Sequence, residues 1–391
     1  MRIAVISHSR RKIGGVETYL DTIIPALAAE NQVALLYEAE TPGRELISLP
    51  PSAPVWQSAE LGRNQALQQL RRWEPDVCFV QGLQDPELEG DVVALGNAVL
   101  YVHSYYGSCI SGNKMIYNGA PKPCERTFGP ACLLHYFPDH CGGRNPITML
   151  QRYRLQSRRL QLMREYRALV ANSEHMRREL ARYDLASEVA YPFANSGVPP
   201  LVRDSQQEPL QLIFSARMQA LKGGHLLIDA ASEIQRRLGR KIQVTFIGDG
   251  PDLSAWKNQA RALTTHPVSF KFTGWLPSDA IKEELLRSHL IVMPSIWPEP
   301  FGLAGLEAGL HGIPTVAFAV GGIPEWLQDG VNGHLASTPS TPQSLTEAIV
   351  RALADPDHYQ QLCTGAREQA LKYDLRTHVD QLLSIFSRCS A

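Results

Sequence analysis

The sequence predicts an α/β protein built from two Rossmann-like units, each a parallel sheet covered by helices on both faces. Three observations carry this. Short apolar, β-branched runs alternate with helical segments from one end of the chain to the other. A Pro/Gly-rich stretch at 192–200 interrupts that series near its middle and reads as a linker. Finally, 391 residues, of which 44% are apolar, are enough for two separate cores.

In the first half, strands are expected at 3–7, 33–37, 77–81, 99–103 and 168–171. The second series runs 210–214, 243–247, 269–272, 290–293 and 315–318, with glycine-containing turns after several strands. The last two helical segments, 357–372 and 375–386, are separated by Tyr373-Asp374, so the final helix is free to cross to another surface. The expected division is therefore 1–194, 195–373 and a terminal helical segment 374–391.

Charge and composition narrow the function. A net charge of −1 argues against a nucleic-acid partner, because such proteins usually carry a basic excess or stripe. The apolar run at the start, Met1-Arg-Ile-Ala-Val-Ile-Ser7, is too short for a signal peptide, and no stretch approaches the ~18 apolar residues of a membrane span. A soluble, cytoplasmic protein is expected, with a peripheral contact at the inner face of a membrane left open.

The most informative segment is Glu299-Pro-Phe-Gly-Leu-Ala-Gly-Leu-Glu307. A buried strand is expected just before it, at 290–293, and a helix over 301–310. Glu299 then sits on the loop at the strand's carboxyl end, where open α/β sheets bind ligands, and Glu307 lies about two helical turns further on, on roughly the same side. Between them the first N–H groups of the helix, around Gly302 and Leu303, are available to an anion. A phosphorylated sugar would satisfy all three features; read alone, the segment also fits a surface helix with two solvated acids.

Other loops share this character. Ile13-Gly-Gly-Val-Glu17 opens a helix with two glycines that let backbone approach a phosphate, although it lacks the full G-x-G-x-x-G spacing of a dinucleotide site. Arg217 and Lys222 flank a short loop before a helix and can converge on one polyphosphate. Ile247-Gly-Asp-Gly-Pro251 ends a strand, and Gly248 and Gly250 permit close backbone approach to a ligand at the sheet's carboxyl edge.

Taken in order, Gly14-Gly15-Val-Glu17, Arg217 with Lys222-Gly223, Gly248-Asp-Gly250, Phe272-Thr-Gly274, Glu299 with Glu307, and Gly321-Gly322-Ile-Pro-Glu325 resemble the family 4 retaining glycosyltransferases, of the glycosyl transferases group 1 type. The resemblance spans nearly the whole chain and is strongest from 210 to 335. It implies a GT-B fold, two Rossmann-like domains facing each other across a cleft, the first binding acceptor and the second the nucleotide sugar. It further implies that Arg217 and Lys222 bind the donor diphosphate, Glu307 the ribose and Glu299 the sugar hydroxyls, with Gly14 and Gly15 touching the diphosphate from the first domain. The final helix returns to that domain in the family. His103 ends a strand where the family often places a histidine near the transfer centre; its usual acidic neighbour is here Ser104, which puts any role needing an acid there in doubt.

The reaction so implied is transfer of a sugar from a UDP-, GDP- or ADP-linked donor to a hydroxyl acceptor, a glycan, glycolipid or small molecule, lipid-linked acceptors included. Bond breaking places negative charge on the leaving phosphate, and Arg217, Lys222 and the helix start near Gly302 supply fixed positive potential in place of a metal ion. No cofactor is required on this reading. Asp355-Pro-Asp357 has the form of a metal-binding Asp-x-Asp but lies between helices and reads as a capping turn. A nucleotide-sugar epimerase and a catalytically silent sugar-nucleotide-binding protein are the alternatives.

The segment 104–146 reads as an insert, where four of the seven cysteines, Cys109, Cys124, Cys132 and Cys141, are concentrated. A structural zinc held by these four thiolates is one expectation; an acceptor-side loop with loosely placed thiols is the other, since the spacing lacks paired C-x2-C knuckles. The following basic segment 152–167 suits either an anionic membrane surface or a solvated helical face.

Overall fold

The computed structural model describes residues 1–12, 14–40, 45–119, 121–194, 207–264 and 267–390; most of the expected linker, from 195 onward, lies outside these. Two compact units emerge. One comprises Met1–Tyr191 with Leu375–Ala391, the other Pro192–Asp374. The division falls at Tyr191, three residues before the expected boundary, and the last helix belongs with the first unit.

In the first unit, seven strands form one sheet: β1 (Arg2–Ser7), β2 (Gln32–Tyr37), β3 (Val55–Gln57), β4 (Val77–Val80), β5 (Ala98–Val102), β8 (Ala168–Ala171) and β9 (Glu188–Val189). Their order is β3-β2-β1-β4-β5-β8-β9, and every pairing is parallel. A separate two-residue hairpin, β6 (Met115–Ile116) with β7 (Lys122–Pro123), lies in the insert. Helices α1 (Gly15–Ala28), α2 (Ser58–Leu61), α3 (Arg63–Trp73), α4 (Pro86–Val93), α5 (Ala131–His135), α6 (Pro146–Met163) and α7 (Glu174–Ala181) complete the unit with α14 (Leu375–Cys389). The central strands are buried along nearly their whole length, Arg2 at the start of β1 being half-buried, which is why they read as unbroken apolar runs rather than alternating ones.

Buried polar contacts fix α14 to this unit. His378 Nδ1 lies 2.7 Å from the Tyr191 carbonyl oxygen, so it must carry the proton, and Nε2 then accepts from the Tyr19 hydroxyl at 2.7 Å. Burial pushes the His378 pKa down to about 4, which keeps the ring neutral in that role. Phe386 packs edge-on to Phe79 of β4 beneath it.

The second unit has strands β10 (Leu210–Ser215), β11 (Ile242–Ile247), β12 (Val268–Gly274), β13 (Leu290–Met293), β14 (Thr315–Phe318) and β15 (Gly333–Ala336), in the order β12-β11-β10-β13-β14-β15, again all parallel. Its helices are α8 (Gly224–Leu238), α9 (Leu253–Leu263), α10 (Ser278–Arg287), α11 (Leu303–Leu310), α12 (Pro342–Leu353) and α13 (Pro356–Ala370). Strand order reverses between β10 and β13, which places the loops after these two strands at the switch point where such sheets bind ligands.

Ten strands fall where the apolar runs predict them, within one or two residues. The others, β3, β6, β7, β9 and β15, are two to four residues long and show too little periodicity to be read. The basic helix starts earlier than expected, at Pro146 behind an Asn145 cap, and ends at Met163. One side of it packs on the unit: Gln156, Arg159, Leu162 and Met163 are buried, and Arg159 donates to the Leu83 carbonyl at 2.7 Å.

Candidate active site

The loops after β10 and β13 are joined through one carbonyl. Leu221 O accepts from the backbone N–H groups of Ile296 and Trp297 at 2.9 and 3.2 Å and lies 3.2 Å from the Ser295 hydroxyl. Gly223, with φ of 70°, must be glycine here, since a Cβ would stand 1.7 Å from the Pro294 carbonyl oxygen. This brings Lys222 against the Glu299 loop. Its Nζ is 2.6 Å from Glu299 Oε1 and lies 4.4 Å from the centre of the Trp297 ring, so the ammonium is held by a carboxylate and by an aromatic face. Glu299 is only 7% exposed, and its backbone is supported from behind by the Gly321-Gly322 turn, whose Gly322 N–H donates to Glu299 O at 2.7 Å.

Arg217 follows β10 and is exposed; its carbonyl accepts from Gln219 N–H at 2.8 Å, and its side chain has no hydrogen-bond or ion-pair partner among the described residues. Its loop lies against the one containing Gly248 and Gly250: a Cβ on either glycine would meet the carbonyl oxygen of Ala216 or Met218. What these glycines admit is therefore the backbone of the Arg217 loop, and they position that arginine.

Helix α11 begins at Leu303, two residues later than expected, because Gly302 adopts φ of 92° and stands outside it as the N-cap. No side chain caps it, and the same holds for α1 at Gly14 and α8 at Gly223. By contrast Asp85, Asn145, Ser173, Thr341 and Asp355 each cap a helix with a side-chain oxygen. Asp355 thus acts as a cap for α13, accepting from Asp357 N at 2.9 Å. The uncapped starts of α8 and α11 leave N–H groups and positive helix ends next to Lys222 and Glu299. Glu307 projects from α11 with an exposed side chain that nevertheless has protein on most sides. Loss of hydration pushes its pKa up to about 7, and since water still reaches the side chain, the upward direction is the result that bears on ligand binding.

In the first unit, Gly14 and Gly15 are exposed at the start of α1, with open space beside Gly15. His103 follows β5, packed between Tyr101 (4.8 Å between ring centres) and Tyr19 (5.4 Å), and its Nε2 is 2.8 Å from Gln81 Oε1. Burial, then the nearby His378, push its pKa down to about 3, so it works as a neutral ring.

The four cysteines of the insert are free thiols, and among the described residues no three His, Cys, Asp or Glu side chains are grouped so as to hold a metal ion. A structural zinc at Cys109, Cys124, Cys132 and Cys141 stays a proposal. Burial, and then the neighbouring Cys109 and Cys124 thiols, push Cys141 up to about 12. Lys114 ties parts of the insert to α7. Its buried ammonium pairs with Glu179 of α7 and donates to the Arg126 carbonyl at 2.8 Å, while Arg126 pairs with Asp139. Trp297 was missed in the sequence; its only signal was an aromatic residue two positions before Glu299.

Residues 202–369 match the model of the family described as glycosyl transferases group 1. Among curated proteins, the chain is 32% identical over 188 residues to a D-inositol 3-phosphate glycosyltransferase of Saccharomonospora viridis, covering 46% of this chain and 43% of that protein. It is 32% identical over 179 residues to the alpha-D-kanosaminyltransferase of Streptomyces kanamyceticus, covering 45% of each. The chain thus spans less than half the length of these relatives. Solved structures match over nearly all of it. Anabaena HepE in complex with UDP-glucose has a TM-score of 0.68 at 20% identity, over 99% of this chain and 100% of that one. Sucrose-phosphate synthase from Thermosynechococcus elongatus reaches 0.74 at 15% identity, over 99% and 98%. The chain therefore has the GT-B fold, and its segment 202–369 matches the glycosyl transferases group 1 family.

Proposed function

We propose that this protein is a retaining glycosyltransferase that moves a sugar from a nucleotide-diphosphate donor to a hydroxyl acceptor without a metal ion. The observation that carries the reading is the Lys222–Glu299 pair, with Arg217 on the same loop as Lys222, at the switch point of the second sheet and the uncapped start of α11. Support comes from the matched relatives, which are named as glycosyltransferases, and from HepE, whose structure contains UDP-glucose.

Without donor, Lys222 and Glu299 satisfy each other. On binding, the diphosphate replaces Glu299 as the partner of Lys222 and Arg217, and sugar hydroxyls replace Lys222 as the partner of Glu299, so each charge retains a charge-assisted hydrogen bond. As the bond from the anomeric carbon to the phosphate oxygen breaks, negative charge grows on the phosphate, where both cations and the helix end already stand. The acceptor oxygen bonds to the same face of the sugar, and its proton passes to the departing phosphate oxygen. No side chain is assigned as the base. Gly14, Gly15 and His103 are assigned to the same donor as part of this proposal, as is Glu307 to its ribose.

The test is product analysis by NMR after incubation with UDP-, GDP- or ADP-glucose and a panel of hydroxyl acceptors in the presence of EDTA. A glycoside with the donor's anomeric configuration supports the reading. An inverted product, an epimerised sugar, or turnover that appears only with added magnesium or manganese overturns it.

A further inference from the structure

Gln81 immediately follows β4, and its backbone extends the ladder, donating to Ile6 O at 2.9 Å. A polar side chain at that point would ordinarily turn to water, yet this one is 4% exposed and directed at His103, with Oε1 2.8 Å from the ring Nε2. The other end of the amide, Nε2 of Gln81, is buried and has no hydrogen-bond partner. A buried amide that leaves half its capacity unused is costly, about 1–3 kcal/mol for the orphaned group, so stability alone does not account for it.

We propose that Gln81 is a positioning residue for His103: its carbonyl oxygen accepts from Nε2–H and so leaves Nδ1 as the ring's lone-pair acceptor toward a hydroxyl of the donor sugar. This rests on the assignment of His103 to the transfer reaction. The ring is neutral, so it has one proton and one lone pair, and the partner of one nitrogen decides what the other offers. An amide oxygen can only accept, which fixes the proton on Nε2. No partner occupies Nδ1 among the described residues, while Tyr101 and Tyr19 hold the ring plane.

The experiment uses the full chain. Two-bond proton–nitrogen NMR correlation, with the His103 signal assigned by its loss in His103→Gln, reads the tautomer without any substrate; turnover of whichever UDP-, GDP- or ADP-glucose the wild type accepts gives kcat and KM. Expected are an Nε2–H ring in the wild type, a mixed or Nδ1–H ring in Gln81→Met, and the wild-type tautomer again in Gln81→Glu. With these, kcat in Gln81→Met should fall roughly tenfold or more while donor KM stays near the wild-type value. An Nδ1–H ring in the wild type, or an unchanged tautomer in Gln81→Met, overturns the proposal. If the tautomer shifts but turnover does not, His103→Gln separates the causes: a fully active His103→Gln removes the assignment of His103 itself, whereas an inactive one removes only the role of Gln81.

Discussion

Replacing Lys222 with methionine keeps most of the side chain's length and removes its charge, leaving the Glu299 carboxylate without the cation 2.6 Å away. Breaking a fully buried pair in this way costs about 3–5 kcal/mol. Here the Lys222 side chain is 22% exposed, so water reaches part of the vacated space, and about 1–3 kcal/mol is the better expectation. For a unit of this size each kcal/mol moves Tm by about 2–4 °C, which puts the loss at roughly 2–12 °C by scanning calorimetry. In the double variant Lys222→Met with Glu299→Gln no carboxylate is orphaned, so most of that stability should return. Transfer should not return, because both variants lack the cation facing the departing phosphate, and a loss of about 10²-fold or more is expected in each. A single variant that melts like the wild type would remove the structural premise, and a double variant with near wild-type turnover would refute the catalytic one.

If Glu307 binds the donor ribose, as proposed, donor binding should depend on pH. Ionised, it can accept two ribose hydroxyls, whereas protonation costs it part of that capacity. With its pKa raised by lost hydration, donor affinity measured by calorimetric titration should strengthen as pH rises through the titration of Glu307, and Glu307→Gln should bind weakly with no such trend. In the ligand-free protein the sign reverses. A carboxyl that holds its proton more tightly when folded loses stability as pH rises above its ordinary value of 4.5, so Glu307→Gln should gain in relative Tm as pH rises. Tyr19→Phe removes the hydroxyl that meets His378 and should cost about 1–2 kcal/mol, with faster amide exchange in α14 as the local signature; unchanged exchange would show that this hydroxyl does not help to hold α14.

The sheets were legible because their central strands are buried on both faces and appear as unbroken apolar runs at 3–6, 77–80, 290–293 and 315–318. Edge strands such as β3 and β9 lack that signature. At the candidate site, residue types and their places at strand ends could be read from the chain. Their partners could not: Lys222 and Glu299 are 77 positions apart, and only the shared Leu221 carbonyl and the glycine at 223 reveal why they meet. Gln81 was read as the last residue of a strand, and nothing local distinguishes a side chain turned to His103 from one turned to solvent. In the insert the cysteines are visible in the sequence, whereas Lys114 carries no local signal of its buried pairing with Glu179, 65 positions away.

The central claim, that Arg217 and Lys222 with the start of α11 form a metal-independent site for a nucleotide diphosphate, is tested most directly by calorimetric titration of wild-type protein and Arg217→Ala with UDP-, GDP- and ADP-glucose in EDTA. The account predicts saturable binding of at least one donor by the wild type and a weakening of roughly tenfold or more in Arg217→Ala, as expected for loss of a charge-assisted contact. Binding of none of the three, binding that requires magnesium or manganese, or equal affinity in Arg217→Ala would contradict it.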